Sequence, residues 1–181
     1  MPALQIQIYN KMSKKNKMPN FLAMSQQLLK DLQSDAEIKG MDFIHSNFEK
    51  EGFTDNSFEP WKPRKSSINY NLLRVTNNLF NSINVASSTK DRIVFEADAP
   101  YAEIHNNGGV LNIPITTRSR KYFWFMYMET GKGIWKAMAL TKKDRLTVNM
   151  EKRQFMGHSE TFAKDWNTHV INEIKMRFNN L

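Results

Sequence analysis

The chain of 181 residues contains no cysteine, only four histidines, seven glycines and six prolines. Without cysteine there are no disulfides and no thiolate metal sites, and the compartment stays open because many cytosolic proteins also lack it. The longest apolar and aromatic run, Tyr122 to Met128, falls far short of the roughly 20 residues of a membrane-spanning helix. No membrane partner is expected. The N-terminus reads Met1-Pro2-Ala3-Leu4-Gln5-Ile6-Gln7-Ile8, with no basic region leading into an apolar segment, so no signal peptide is expected either.

Chemistry is equally sparse. His45, His105, His158 and His169 have no second histidine or acid at the spacing of a His-Glu-x-x-His metal site. His105-Asn106-Asn107 has the outline of a nuclease motif, but a single histidine without a carboxylate cluster does not hold a catalytic metal. Neither Gly108-Gly109 nor Gly131-Lys132-Gly133 runs into a Gly-Lys-Ser/Thr phosphate loop, and there is no Gly-x-Ser-x-Gly elbow. The sequence supports no catalytic residue, no metal and no cofactor.

What is present is positive charge and aromatic bulk. Lysine and arginine number 26 against 18 acidic residues, a net +8, and aromatics make up 12%. The bases come in small groups: Lys11, Lys14, Lys15 and Lys17; Lys62, Arg64 and Lys65; Arg118, Arg120 and Lys121; Lys142, Lys143 and Arg145. Such a balance favours polyanions, including nucleic acid, although each group also reads as an ordinary solvated surface.

Along the chain, Leu4, Ile6 and Ile8 alternate with glutamines as in a strand, and a Lys-rich loop follows to Lys17. Residues 1–18 are therefore read as a strand with a basic arm, and residues 19–181 as one domain. Helical stripes run through Phe21, Met24, Leu28 and Leu32, then Met41, Ile44 and Phe48. Ser34-Asp35 is a candidate cap between them, giving two helices or one bent helix, with Gly52 as the stop. Phe58-Glu59-Pro60-Trp61-Lys62-Pro63-Arg64 reads as an extended loop, because its prolines exclude a helix interior. Ile68, Leu72, Val75 and Leu79 resume a helical stripe. Ile83 to Val85 and Ile93 to Phe95 flank a polar turn as a β-hairpin.

Ala99 to Asn107 fits one or two helical turns, and Val110, Ile113 and Ile115 fit a strand. Tyr122 to Met128 suits a strand by its aromatics, but Thr117 as cap and Gly131 as stop favour a helix buried on most sides. Leu146 to Val148 reads as a strand. The last element is the clearest: Phe162, Trp166, Val170, Ile174 and Phe178 recur every four residues, with Ser159 as cap and Lys175 and Arg177 complementing the dipole. The whole is read as an α+β domain, a helical N-terminal region and a long C-terminal helix packed on a small, mainly antiparallel sheet.

Two short clusters stand out. In Tyr101-Ala102-Glu103-Ile104-His105-Asn106-Asn107-Gly108-Gly109, a helical turn ends on glycines that permit positive φ. Tyr101 and His105 either pack and hydrogen-bond to hold this corner or form a subunit interface, and both can hold together. In Lys152-Arg153-Gln154-Phe155-Met156-Gly157-His158-Ser159, Gly157 permits a tight turn into the cap and Phe155 is a packing anchor. Arg153 is either a carbonyl- or carboxylate-pairing structural residue or an interface contact.

Taken in order, these features resemble the phage virion morphogenesis, or tail-completion, family. Its Trp-Pro loop is matched by Pro60-Trp61-Lys62-Pro63. Its Leu-x-x-(Ser/Thr)-Gly-x-Leu-x-x-Ser-Ile segment is matched by Leu73 to Ile83, with Asn77 in place of the usual glycine. The Tyr-Ala-x-Ile-His-x-x-Gly-Gly corner is matched by Tyr101 to Gly109, and the Arg-Pro-Phe-Leu-Gly turn by Arg153 to Gly157, with Gln154 in place of proline. The resemblance runs from about Phe48 to the C-terminus. The stretch from Ile113 to Leu140 is long and aromatic, which elaborates the middle of the fold.

The resemblance implies a structural protein made in the host bacterial cytoplasm that joins the virion at the neck or head-proximal end of the tail. It implies action as a ring with itself, hexameric if it follows tail symmetry, in contact with other neck, connector or tail proteins. Trp61, Tyr101, His105, Gly108, Gly109, Arg153, Phe155 and Gly157 would then be structural or interface residues. Lys62, Arg64, Lys65, Arg118, Arg120 and Lys121 would face the DNA channel with weak, sequence-blind contacts. The rival reading is a basic nucleic-acid-binding module.

Overall fold

A computed structural model describes residues 20–64 and 71–179. The expected strand at Leu4 to Ile8, the Lys-rich loop after it, Lys65 and Ile68 lie outside the described residues. The fold is α+β, as expected, and among the described residues its strands form three two-stranded antiparallel ribbons.

Helix α1 (Phe21–Glu49) is one continuous helix, capped by the Asn20 side chain, which accepts from the Ala23 amide. The candidate cap at Ser34-Asp35 does not interrupt it. Instead the Asp35 carboxylate meets His169 at 2.8 Å on the C-terminal helix, so its side chain serves a tertiary contact and not a local one. Gly40 sits in mid-helix, at a cost of about 1 kcal/mol in propensity, because the Phe95 ring lies on it: a Cβ there would stand 2.3 Å from the ring. The helix stops at Glu49, and the chain reverses through Glu51 at φ 53, with Gly52 already the first residue of a strand.

Strands β1 (Gly52–Thr54) and β2 (Phe58–Pro60) pair as a small hairpin, where an extended loop was expected; three-residue strands leave almost no alternation to read. The expected helical stripe from Ile68 to Leu79 is largely corrected. Among the described residues only α2 (Asn78–Asn81) is helical, because Leu73 (φ 59) and Asn77 (φ 55) adopt the left-handed conformation and break the periodicity. Leu72 and Leu79 are buried all the same, as anchors under a loop. Asn77 thus does the task of a glycine, as its short polar side chain allows.

Strands β3 (Ile83–Ser88) and β4 (Ile93–Ala97) form the expected hairpin, with a register shift between Val85 and Ser87. Its Ser88 hydroxyl lies between Gln33 and Glu37 of α1. Helix α3 (Ala102–Asn107) gives the expected turn before β5 (Gly109–Pro114). Between β5 and its partner β6 (Arg145–Met150) come α4 (Thr117–Thr130) and α5 (Gly133–Leu140). Helix α6 (Glu160–Phe178) closes the chain against α1, with Ser159 accepting from the Phe162 amide and Arg177 reaching Asp31 at 2.6 Å.

Phe48 and Phe155 are the centre of the main core, within which Ile44, Trp61, Leu72, Leu79, Ile83 and Ala102 are also buried. Their rings meet at 4.9 Å, and Trp61 and Phe80 stand edge-on to Phe48. No residue of 109–150 belongs to this core among the described residues. That segment forms a finger: a ribbon open on both faces, topped by α4 and α5 packed on each other. Helix α4 was expected to be buried on most sides. Only Phe123 is buried in it, against Trp135 of α5, while Trp124, Phe125 and Met128 are exposed. An aromatic-rich helix with a single small helix as neighbour has only one face to bury.

Candidate functional site

The two clusters singled out in the sequence meet in space and join the Trp61 loop. The Arg153 amide donates to the His105 carbonyl at 2.8 Å, tying the turn before α6 to the end of α3. Asn106 completes that tie: its Oδ1 accepts from the amides of both Phe155 and Met156 at 3.0 Å. The Trp61 indole donates to the Gln154 carbonyl at 2.7 Å, and the Arg153 guanidinium donates to the Lys62 carbonyl at 3.2 Å. Of the two roles open to Arg153, the carbonyl-pairing one is present. Asn47, wholly buried, donates to the Phe155 carbonyl at 3.1 Å.

Glycine geometry makes the corner possible. Gly108 has φ 69 and ψ −175, a region open essentially to glycine alone. A Cβ on it would stand 2.8 Å from the Lys152 nitrogen and 3.0 Å from its Cα. Gly109 also has positive φ, at 136, with only the end of Ile104 nearby. Gly157, at φ 152, lies under the Gln154 side-chain amide and leads into Ser159. Tyr101 and His105 touch edge to face at 5.8 Å, and Tyr101 is 40% exposed, so its ring is both a packing group and a surface.

Beside the corner lies a cavity of about 350 Å3, lined by Arg64, Leu72, Leu79, Tyr101, His105 and Arg153 among others. The His105 Nδ1 and Arg153 Nε atoms are buried and have no hydrogen-bond partner among the described residues. Burial first, then the Arg153 charge, pushes the His105 pKa below its ordinary value. Burial and the neighbouring Arg64 likewise lower that of Arg153. The site therefore sets two guanidinium groups, Arg64 and Arg153, beside an imidazole whose neutral form is favoured, with Glu51 and Glu151 partly offsetting the Arg153 charge. Among the described residues no group of three histidine, aspartate or glutamate side chains is placed to hold a metal ion. Nor is any helix there long and apolar enough to cross a membrane.

The basic residues expected to act together are divided by the fold. Lys62 pairs with Glu151 at 2.8 Å, and Arg64 donates to the Asn71 carbonyl, both beside the corner. Arg118, Arg120 and Lys121 are on the finger. Arg120 there turns inward, donating to the Ala139 and Thr141 carbonyls at 3.0 and 2.6 Å and so closing the C-terminal end of α5. Sequence reasoning missed Asn47 and Asn106. The first was legible only as a polar residue at a core position of the α1 stripe, and the second is an ordinary polar residue of the last turn of α3 until the turn before α6 docks on it. The chain matches no protein-family model, no curated protein and no solved structure.

Proposed function

We propose that this protein is a structural subunit of a tailed-phage virion, working at the neck or head-proximal end of the tail as part of an oligomeric ring. It acts by assembly and not by turnover. One observation carries the reading. The Trp61 loop, the Leu73 to Ile83 segment, the Tyr101 to Gly109 corner and the Arg153 to Gly157 turn are separate in sequence but built into one unit around Phe48 and Phe155. Strings that carry a family resemblance only by their order acquire a shared physical reason, each holding the next. The exposed apolar finger and the positively charged cavity supply contact surface, as an assembly part requires.

The test is removal of the gene from a phage that carries it, followed by imaging of the particles. Heads and tails that fail to join are expected, and restoration by the wild-type chain completes the experiment. Fully joined, infectious particles without the protein would overturn the reading. A basic nucleic-acid-binding module is the second reading, favoured by the lysines, arginines and exposed aromatics of the finger. Tight DNA binding by the isolated chain, with normal particle joining in its absence, would favour it.

A further inference from the structure

Residues of the Leu72 to Leu79 segment, of the Tyr101 corner and of the turn before α6 line the one cavity of about 350 Å3 beside the corner. It is far larger than a slot for a single bridging water, whose share of the liquid is about 30 Å3. Its lining is of two kinds. Leu72, Leu73, Val75 and Leu79 supply aliphatic wall, while Arg64, Arg153, Tyr101 and His105 bring polar groups. Val75, Thr76 and Tyr101 are the exposed members of that lining and mark the side on which it opens.

The guanidiniums have donors to spare. Each carries five N–H donors in a planar fork. Arg153 donates to the Lys62 carbonyl at 3.2 Å and Arg64 to the Asn71 carbonyl at 2.8 Å. The buried Arg153 Nε has no partner among the described residues, and leaving a buried donor unmade is costly.

The charges around Arg153 decide what kind of ligand fits. Arg64 repels it, while Glu151 and Glu51 attract it. Glu151 is met by Lys62 at 2.8 Å, and no acid is among the described residues that line the cavity. Two guanidiniums thus stand against Glu51, whose carboxylate also accepts from the Leu72 amide at 2.5 Å. With the neutral imidazole of His105 favoured by burial, the balance is one positive charge. A single negative charge neutralises it. A doubly charged phosphate would leave an excess of its own against aliphatic wall, where an unpaired charge is costly.

We infer that the corner cavity is a binding site for one carboxylate on an aliphatic stem, its head taken by Arg64 and Arg153 and its stem laid against Leu72, Leu73, Val75 and Leu79. The paired donors of a guanidinium match the two oxygens of a carboxylate, and the aliphatic wall gains by being covered with methylene groups. The acid comes from one of two sources, a free monocarboxylic acid or a glutamate side chain offered by another polypeptide, and the chemistry recognised is the same. The site stands on its own groups and does not depend on the virion reading.

The experiment titrates the full chain, labelled with heavy nitrogen, with hexanoate and follows its amide and arginine Nε–H signals by NMR. Saturable shifts are expected at Arg64, from Leu72 to Leu79, at Tyr101, at His105 and at Arg153, with hexanamide and inorganic phosphate giving none at equal concentration. Arg64→Gln should weaken hexanoate binding about tenfold, as loss of one charge-assisted bond does. Val75→Glu should weaken it too, by bringing a like charge to the mouth. The bond from Arg64 to Asn71 is exposed and Val75 is 54% exposed, so both variants should melt as the wild type does. A blocked alanyl-glutamyl-alanine tripeptide separates the sources, with its glutamine counterpart as control. Tighter binding of that tripeptide than of hexanoate places the acid on a polypeptide, and the reverse order makes it a free acid; either result supports the site. Absence of saturable shifts with both carboxylates overturns the inference. So do equal shifts with hexanamide or phosphate, or hexanoate binding of wild-type strength in folded Arg64→Gln protein.

Discussion

Substituting Gly108 by alanine should be among the most damaging single-methyl changes available in this protein. Two effects add. At φ 69 and ψ −175 any side chain pays a backbone penalty of about 1–3 kcal/mol. The new Cβ would also press on backbone atoms, 2.8 Å from the Lys152 nitrogen and 3.0 Å from its Cα, where carbon contacts normally sit at about 3.5–4.0 Å. Lys152 has little room to withdraw, because the next amide, that of Arg153, is bonded to the His105 carbonyl. Forced overpacking of this kind costs about 1–3 kcal/mol. A combined loss of about 3 kcal/mol lowers the melting temperature of a chain this size by roughly 6–12 °C. Gly131→Ala is the internal control. It has φ 66 as well, but nothing within 4 Å of its Cβ, so only the left-handed penalty of about 1–2 kcal/mol applies. Calorimetry on both variants decides the matter. A Gly108→Ala shift no larger than that of Gly131→Ala would refute the claim that backbone contact at Lys152 fixes the corner.

Three further outcomes follow from the same contacts. Arg120→Ala removes two charge-assisted bonds to the end of α5, each worth about 1.5–3 kcal/mol; amide exchange should quicken through residues 117–143 while the body keeps its protection. Stability should fall as pH drops below 6.5, the ordinary histidine value, because burial lowers the pKa of His45 and His105 in the folded chain, so the unfolded chain binds the protons more readily. Replacing both by glutamine should flatten melting temperature between pH 7 and 5, whereas an unchanged slope would refute the assignment; the His158 pKa is raised by Glu160, but that pair lies at the surface, where solvent screens it. Binding of duplex DNA should be weak, about 10⁻⁴ to 10⁻⁶ M near physiological salt, and steeply salt-dependent; nanomolar, sequence-selective binding would contradict it.

How far the sequence carried depended on whether a signal was local. Helix α6 was legible because its four-residue stripe, its Ser159 cap and its basic last turn all lie within one segment. The corner was legible for a similar reason, since only glycine takes the dihedrals of Gly108. Asn77 stands where the resembled pattern has glycine, and it has φ 55. The failures were tertiary. Ser34-Asp35 has the composition of a cap, but His169, 134 residues away, holds Asp35. The apolar spacing from Leu72 to Leu79 is helical in period, yet Leu73 is left-handed, a conformation no pattern of leucines announces. For α4 the cap and stop predict the right element, and the aromatics the wrong surroundings, because bulk aromatics look alike whether a core or solvent faces them.

The corner and the finger also explain each other mechanically. The finger is rooted where β5 leaves Gly108 and β6 runs into Lys152. Six residues of ribbon and fourteen of helix reach at most roughly 40 Å from that root. A tilt of about 10° there would swing the tip by as much as about 7 Å over that reach, more than the 5.4 Å pitch of a helix. An exposed apolar tip that must meet a partner in one orientation therefore needs a root that does not tilt. That is what the bonds from Arg153 to His105, from Trp61 to Gln154 and from Phe155 and Met156 to Asn106 provide. Loosening the corner should on this account impair assembly beyond its effect on stability. Gly108→Ala protein held well below its melting temperature should still associate less than Gly131→Ala protein, since the latter alters only the turn between α4 and α5. Equal association of the two variants, with Gly108→Ala demonstrably folded, would show that the angle of the finger is set elsewhere.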